Sequence, residues 1–251
     1  MGKKSSEYTP DAVRGHVLFA SDNHFGIPVV PRVRVVPTWM APWRWRAEFP
    51  VAPGGAQHFF AEESKFESLW VYPRRCLDRI ALVGMVVSPD VALHRIAPMA
   101  CQVWNVYRNR WLACSWADQG GFVIPAVSWA EQESFEYAFL GVSRNSTVAV
   151  STHGVEDWRA FHHGLVAMVE RLAPYAVLLC GPSLPPECAA PRGARTYHYA
   201  EVAPGRPAAR PTPLSQEAVT AQTAPESFGQ RLQERRTRPF LSLTPGPLPR
   251  R

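Results

Sequence analysis

The stretch that decides the fold class runs from residue 147 to residue 181 and reads TVAVSTHGVEDWRAFHHGLVAMVERLAPYAVLLCG. It begins with a short apolar run, Thr147–Gly154, and ends with another, Ala176–Gly181. Neither run alternates with polar residues, which is typical of strands that are covered on both faces. Between them, apolar residues recur at spacings of three and four from Trp158 to Leu172, which indicates an amphipathic helix. The stretch therefore predicts a strand–helix–strand unit with parallel strands.

The same alternation continues on both sides of this unit. Further apolar runs recur at intervals of roughly 25–35 residues, namely His16–Ser21, Ala56–Glu63, Leu82–Asp90, Gly121–Trp129 and, weakly, Thr196–Val202. Helix-like segments follow most of the runs, at 64–70, 98–117, 131–140 and 156–172. This order predicts an α/β fold, and we expect a (β/α) barrel-like architecture, complete or incomplete. A doubly wound open parallel sheet is the alternative.

Polar or small residues follow almost every apolar run, and this feature favours the barrel. The clusters are Ser21-Asp22-Asn23, Glu62-Glu63, Ser88-Pro89-Asp90, Ser128-Trp129, Ser151-Thr152-His153 and Cys180-Gly181. In a barrel all of these strand ends converge on one face, whereas an open sheet gathers only a few of them at its switch point. Neither GxGxxG nor GxxxxGK[ST] occurs, so the sequence does not indicate a common dinucleotide site or P-loop.

Composition divides the chain into three parts. We predict a flexible N-terminus over 1–15, a single α/β domain over 16–202 and a disordered Pro/Arg-rich tail over 203–251. The tail has eight Arg, no Lys and three Glu, a formal charge of +5 out of the total of +6, so the body is nearly neutral. Within the domain, Val29–Pro53 is rich in Pro, Trp and Arg, and we predict an ordered loop there, packed over the barrel mouth.

The cysteine content favours a cytoplasmic protein. The five cysteines are odd in number and lack CxxC or CxxH spacing, which indicates reduced thiols and no disulfide frame or zinc site. The N-terminal MGKKSSEYTP has no apolar run behind its lysines, unlike a secretory signal. No apolar run reaches the ~20 residues of a membrane span. We therefore expect a cytoplasmic location and no membrane partner; the oligomeric state is left open.

The segment 102–111, QVWNVYRNRW, is the densest group of aromatic and hydrogen-bonding residues in the chain. On a helix, where each residue turns about 100°, Gln102 and Asn105 share a stripe with Arg108 at its edge, and we predict that these three bind a ligand. Arg110 lies on the other side of such a helix, and with Tyr107 and Trp111 it has either a structural or a binding role. The alternative for the whole segment is a set of buried hydrogen bonds that joins helix to strand.

Carboxylates and a histidine at strand ends are the candidate catalytic groups. Asp90 and Glu62 each follow an apolar run, and a pair of such carboxylates can perform acid–base chemistry or hold a divalent cation. His153 is the candidate general base. Asp90 could instead cap the next helix or pair with an arginine. The sequence does not predict a defined set of metal ligands. The one cofactor that we consider is a divalent cation.

Hydroxyl groups at two other strand ends are candidate ligand-binding groups. Ser151 and Thr152 stand at a predicted strand-to-helix turn, where hydroxyls and free N–H groups suit a phosphate. Ser128 and Trp129 could offer a hydroxyl and a stacking face to a base or sugar, although Trp129 could equally be a core residue.

Several of these motifs together resemble a family. They are Ser88-Pro89-Asp90, the NVYRNRW block from Asn105 to Trp111, Ile124 to Trp129, Ser134-Phe135, Gly141 and Val148 to Gly154. Over roughly residues 18 to 182, the chain is similar to domain-of-unknown-function family 4417, whose members occur in phages, plasmids and integrative elements. The resemblance implies a mobile-element setting and implies no activity.

These observations leave three hypotheses about function. The first is an enzyme that acts on a nucleotide or nucleic acid at the carboxyl face of the barrel, because stacking aromatic rings and arginines suit such ligands. The second is a non-catalytic nucleic-acid-binding accessory protein for replication or maintenance, in which Arg32, Arg34, Arg44 and Arg46 form one open positive face. The third is a protein–protein adaptor that recruits a partner through its tail.

Overall fold

The computed structural model describes residues 18–45, 54–60, 67–73, 84–202 and 207–218. The strands are β1 (Trp39–Pro42), β2 (Gly55–His58), β3 (Met85–Val87), β4 (Phe122–Ile124), β5 (Thr147–Ser151), β6 (Ala176–Cys180), β7 (Arg195–Tyr199) and β8 (Thr212–Pro213). The helices are α1 (Glu67–Val71), α2 (Met99–Asp118), α3 (Phe135–Ala138) and α4 (Trp158–Leu172), with 3-10 turns at Trp43–Trp45 and Gln132–Ser134. The predicted 1–15 segment and Glu62 lie outside the described residues.

The strands form two four-stranded sheets, in the orders β1-β2-β3-β4 and β5-β6-β7-β8. Every pair in the first sheet is parallel, as are β5–β6 and β6–β7, while β8 runs antiparallel to β7. The prediction of an α/β fold built on parallel strands is confirmed. The barrel is not confirmed, because neither sheet closes on itself within the described residues.

Single-residue bridges link the two sheets on both sides. After β4, Ala126 bridges Ala149 of β5 in parallel, with hydrogen bonds of 2.8 and 3.0 Å. On the other side, Ala209 bridges Met40 of β1 in the antiparallel sense, with bonds of 2.9 and 2.7 Å. Residues 207–218 belong to the predicted tail, yet they supply both this bridge and β8.

One core is shared by both sheets. Because side chains alternate along a strand, every second residue faces this core: Met40, Ala56, Met85 and Ile124 from the first sheet, and Ala149, Leu178 and Tyr197 from the second. The intervening residues of β3 to β6 pack on helices α2 and α4 instead. Both faces of the strands are therefore buried, which explains why the runs read as continuous apolar sequence.

Helix α4 shows how the sequence specifies a local element. Asp157 caps its first turn by accepting hydrogen bonds from the N–H groups of Arg159 and Ala160, both at 3.0 Å. Leu165 and Met168 are fully buried against β5 and β6, and each such side chain stabilises the fold by about 1.5–3 kcal/mol. The helix ends at Ala173, which adopts the left-handed conformation with φ 41°. In the described part of the chain, no helix is both long and apolar enough to cross a membrane.

The first strand differs from the prediction. Residues 18–21 form only an isolated antiparallel bridge, between Ser21 and Pro28, whereas β1 lies inside the segment predicted as a loop. Prolines led to that prediction, but Pro37 precedes the strand and Pro42 ends it, so neither interrupts it. The strand has only four residues and therefore fits between two prolines that would interrupt a longer strand.

Arg110 of α2 joins three elements through its guanidinium group. Its Nε donates to the carbonyl of Leu140 at 3.0 Å, its Nη1 to that of Ala126 at 2.7 Å, and its Nη2 to that of Ala138 at 2.9 Å. The side chain is buried, and burial lowers the pKa of Arg110 to about 10, while the negative charge of Asp90 acts in the opposite direction. The group remains protonated at neutral pH and satisfies three carbonyls at once.

We expect Arg110→Met to lower the free energy of unfolding by about 3–5 kcal/mol, because it leaves three carbonyls without their donor and removes a positive charge that interacts with Asp90. Arg108→Met on the same helix is the matched control, and we expect a loss of about 1 kcal/mol because Arg108 is only partly buried. Urea denaturation of the two variants measures both values. Equal losses in the two variants would contradict the structural role of Arg110.

Candidate functional site

Three basic side chains meet at the carboxyl ends of strands from both sheets. Arg44 follows β1, His58 is the last residue of β2, and His153 follows β5. His58 is 8% exposed. Its pKa lies at about 3 instead of the usual 6.5, mainly because the side chain is buried and also because the positive charges of His153 and Arg44 lower it. In the pairing of β1 with β2, Pro42 lies opposite His58, so Arg44 follows two residues beyond that position. Because Arg44 and His153 both act on His58, we call the three residues the basic cluster.

The alternation of β2 places His58 in this cluster. Ala56 and Phe60 both face the shared core, so His58, which lies between them, is directed to the same side of the strand. The backbone N–H of Phe60 donates to His58 Nδ1 at 3.4 Å, and the two rings lie 5.2 Å apart. Because Nδ1 accepts this bond, the neutral ring carries its hydrogen on Nε2.

His153 occupies space that a glycine leaves open. Its backbone N–H donates to the hydroxyl of Ser151 at 3.2 Å. Its ring lies against Gly181, where a Cβ atom would stand 2.8 Å from His153 Cδ2 and 2.8 Å from Thr152 Oγ1. Gly181 also has φ +123°, which L side chains rarely adopt. The turn after β6 therefore determines where the His153 ring can lie.

Arg44 is the most accessible member of the basic cluster. Its Nη2 lies 4.0 Å from Glu201 Oε1, and the two side chains are 43% and 55% exposed. A pair at this distance and exposure adds little to stability. The Arg44 side chain thus lies at the rim of the site, while His58 is buried.

Asp90 belongs to a different group, behind β3 and β4. Its charge acts on Arg110, as described above. Beside it, the Ser88 hydroxyl donates to Asn109 Oδ1 at 3.1 Å and accepts from the N–H of Ala126 at 2.8 Å. Asn109 Nδ2 in turn donates to the carbonyl of Pro89. These bonds fix the end of β3 onto α2.

The predicted ligand-binding stripe of α2 bonds to the loop that precedes the helix. Gln102 Nε2 donates to the carbonyl of Ala97 at 2.9 Å, and its Oε1 accepts from the Tyr137 hydroxyl at 2.9 Å. Asn105 Nδ2 donates to the carbonyl of Ala92 at 2.7 Å. Arg108 Nη2 donates to Asn105 Oδ1 at 2.8 Å. Gln102 and Asn105 thus hold residues 92–97 in place, and Arg108 bonds to Asn105 beside them. That these three residues bind a ligand stays a prediction.

The aromatic candidates pack against one another or against helices. Tyr107 stacks on Trp104, with 5.6 Å between ring centroids, and Trp111 is buried beside Trp70, with 5.5 Å between theirs. The Trp129 indole lies against Gly164 of α4, where an added Cβ would come within 2.1 Å of its Nε1.

The remaining hydroxyl candidates lie at the ends of β4 and β5. Ser128 is half-buried after β4. Thr152 Oγ1 donates to the carbonyls of Cys180 and Pro182, at 3.2 and 2.7 Å. The Thr152 hydroxyl thus ties the turn after β5 to the turn after β6, beside His153.

Sequence reasoning did not single out His58 or Gly181. The signal for His58 was present, because it is a polar residue inside the apolar run Ala56–Glu63 and shares the parity of Ala56 and Phe60. The sequence indicated Arg44 only as one of several arginines in the predicted loop Val29–Pro53. Among the described residues, no group of three or more His, Cys, Asp or Glu side chains could hold a metal ion. Since Glu62 lies outside the described residues, the carboxylate pair and its divalent cation stay a prediction.

Comparison with known proteins identifies the family. The model of the domain of unknown function 4417 matches residues 19–190. The chain belongs to this family. This confirms the resemblance that the motifs predicted, and all members of the basic cluster, together with Gly181, fall within the matched residues.

Two phage proteins are clear relatives of this family member. The chain is 35% identical to the Gene 1 protein of Mycobacterium phage L5 over 177 residues, which are 68% of this chain and 77% of the relative. It is 34% identical to the Gene 1 protein of Mycobacterium phage D29 over 192 residues, 72% of this chain and 71% of the relative. No solved structure is significantly similar to the chain. The relatives agree with a phage-associated setting.

We expect stability to fall as the pH is lowered from 6.5 toward 3, because His58 is neutral in the folded state throughout this window and becomes protonated in the unfolded state. The sign follows from proton binding: the unfolded chain binds more protons, so acid favours it. His58→Gln should remove about 3 kcal/mol of the change between pH 6.5 and pH 4. Urea titrations across this range measure it. His24→Gln at an exposed position is the control, and an equal effect of both substitutions would refute the assignment.

We expect Gly181→Ala to destabilise the protein by about 2–4 kcal/mol, because it adds both backbone strain and a clash with His153 and Thr152. Gly193→Ala is the matched control, since Gly193 has φ +82° but an added Cβ would meet nothing within 4 Å. We expect a loss of about 1–2 kcal/mol there from strain alone. Thermal and urea unfolding give both values. If the losses are the same, His153 does not depend on the space at Gly181.

Proposed function

We propose that this protein is an enzyme that acts on a nucleotide or nucleic acid at the carboxyl ends of its parallel strands. The observation that carries this proposal is the convergence of Arg44, His58 and His153 from three strands in two sheets. The guanidinium of Arg44 brings a positive charge to this end of the strands, and the imidazoles of His58 and His153 add hydrogen-bonding nitrogen atoms beside it. An anionic ligand such as a phosphate is attracted by the guanidinium and accepts hydrogen bonds from it.

We further propose that the two sheets are the two halves of an incomplete (β/α) barrel. Support comes from the shared core and from the bridges Ala126–Ala149 and Met40–Ala209, which lie on opposite sides of the sheets. In such an architecture the carboxyl ends of β1, β2 and β5 face one opening. The basic cluster then lies where enzymes of this architecture place their chemistry.

In the proposed reaction, Arg44 binds the phosphate at the rim and His153 moves a proton to or from the reacting group. An imidazole serves this purpose because its usual pKa lies near neutral pH. Ser151 and Thr152 hold the His153 turn through the bonds described above. In this proposal Asp90 takes no part in the proton transfer, because its negative charge acts on Arg110.

The described arginines give less support to an open nucleic-acid-binding face. Arg34 donates from Nε to the carbonyl of Asn145 at 3.3 Å, just before β5 begins. Arg44 instead acts on His58 near His153, just after β5 ends. The two arginines therefore lie at opposite ends of β5, and a single positive surface would have to include both. Arg46 lies outside the described residues.

The experiment that tests this proposal is calorimetric titration with the four nucleoside 5′-monophosphates, at low and moderate salt. We expect Arg44→Gln to weaken binding about tenfold or more, because a charge-assisted hydrogen bond contributes about 1.5–3 kcal/mol. Arg34→Gln is the control and should change affinity less than twofold.

Turnover is tested separately, by following labelled nucleotides and RNA and DNA oligonucleotides with and without added Mg²⁺. His153→Gln should abolish any conversion while leaving binding detectable. Absence of binding to every nucleotide and oligonucleotide would refute the proposed function. If Arg34→Gln and Arg44→Gln change the affinity equally, the ligand does not bind specifically at the basic cluster.

A further inference from the structure

Exposure changes steeply across the basic cluster. The Arg44 side chain is 43% exposed at the rim, whereas His58 is 8% exposed beneath it. A charged group of a ligand keeps part of its hydration at the rim, but it would lose that hydration beside His58. The two positions therefore suit two chemically different parts of one ligand.

His58 offers a hydrogen-bond donor that carries no net charge. The N–H of Phe60 donates to its Nδ1 at 3.4 Å, so the hydrogen of the neutral ring is on Nε2, the nitrogen farther from the backbone. Burial and the charges of His153 and Arg44 keep the ring neutral at physiological pH. A neutral donor is matched by an uncharged acceptor, such as a carbonyl oxygen or a ring nitrogen.

The side of His58 that faces Phe60 is apolar and aromatic. The ring of Phe60 lies 5.2 Å from the His58 ring, at an angle of 35°, and Phe60 belongs to the shared core together with Val87 and Cys180. A planar ring packs favourably against an aromatic face of this kind, at distances between ring centroids such as this one. A phosphate placed here would be buried against hydrocarbon, which is unfavourable.

We propose that the site binds a nucleoside phosphate with the base inward, so that His58 Nε2 donates to a carbonyl oxygen or ring nitrogen of the base and the phosphate lies at Arg44. This inference rests on the proposed function and names its substrate class and binding orientation. His58 acts here as a specificity-determining residue, and proton movement is left to His153. Sugar phosphates that lack a base should therefore bind weakly.

The test compares the four nucleoside 5′-monophosphates with ribose 5-phosphate by calorimetry on the full chain. We expect at least one nucleotide to bind about tenfold more tightly than ribose 5-phosphate, which is the scale of one buried hydrogen bond with aromatic packing. Arg44→Gln should weaken both classes of ligand, because both contain the phosphate.

Two substitutions separate the donor role of His58 from its structural role. His58→Gln places a side-chain amide near the Nε2 position and retains a donor, so the preference for the nucleotide should persist. His58→Asn places its amide near the Nδ1 position, where it can still accept from Phe60 N–H, so the preference should fall about tenfold. The affinity for ribose 5-phosphate should change less than twofold in either variant. Circular dichroism confirms that both variants are folded.

The outcomes distinguish this inference from the proposed function. If ribose 5-phosphate binds as tightly as every nucleotide, the inward base is wrong while phosphate binding at Arg44 stands; this comparison needs only the unmodified chain. If His58→Asn retains the preference and His58→Gln loses it, His58 only supports the backbone at Phe60, and the inference is overturned. If none of the ligands binds, the inference and the proposed function fail together.

Discussion

The buried guanidinium of Arg110 is the interaction on which the arrangement of the two sheets depends. It donates to carbonyls on the extension of β4 and on the segment from Ala138 to Leu140, and it does so from the middle of α2. The extension of β4 is also where Ala126 bridges Ala149 of the second sheet. The donor atoms of one guanidinium group thus set the position of the link between the sheets. Because a guanidinium is planar and rigid, it specifies direction as well as proximity.

The candidate site is a consequence of this link. His58 ends a strand of the first sheet and His153 follows a strand of the second, so the two act on each other only because the sheets share one core. The same packing buries His58 and holds it neutral, while Arg44 stays near solvent. Glycine at position 181 supplies the last requirement, because any side chain there would occupy the space of the His153 ring. Packing and electrostatics therefore act together at this end of the strands.

Membership in the family and the phage relatives fit this picture without extending it. The matched residues 19–190 include β1 to β6, Arg110 and the whole basic cluster. They end before β7 and before the 207–218 segment, which pairs with β7 and bridges β1. The link between the sheets through Ala209 is thus made by residues beyond the family match. The chemistry that we propose depends on the matched part.

The sequence by itself determined the elements and the fold class. Continuous apolar runs predicted β2 to β6, and apolar residues at spacings of three and four predicted α4, because strand alternation and helix amphipathicity are local properties of neighbouring residues. Only the tertiary structure decided which strands are neighbours, that β1 lies between prolines, and that residues 207–218 belong to the fold. It also revealed His58, since its neutral state results from burial and from charges about 14 and 95 residues away along the chain. Such through-space effects decay with distance between atoms, and sequence separation does not record that distance.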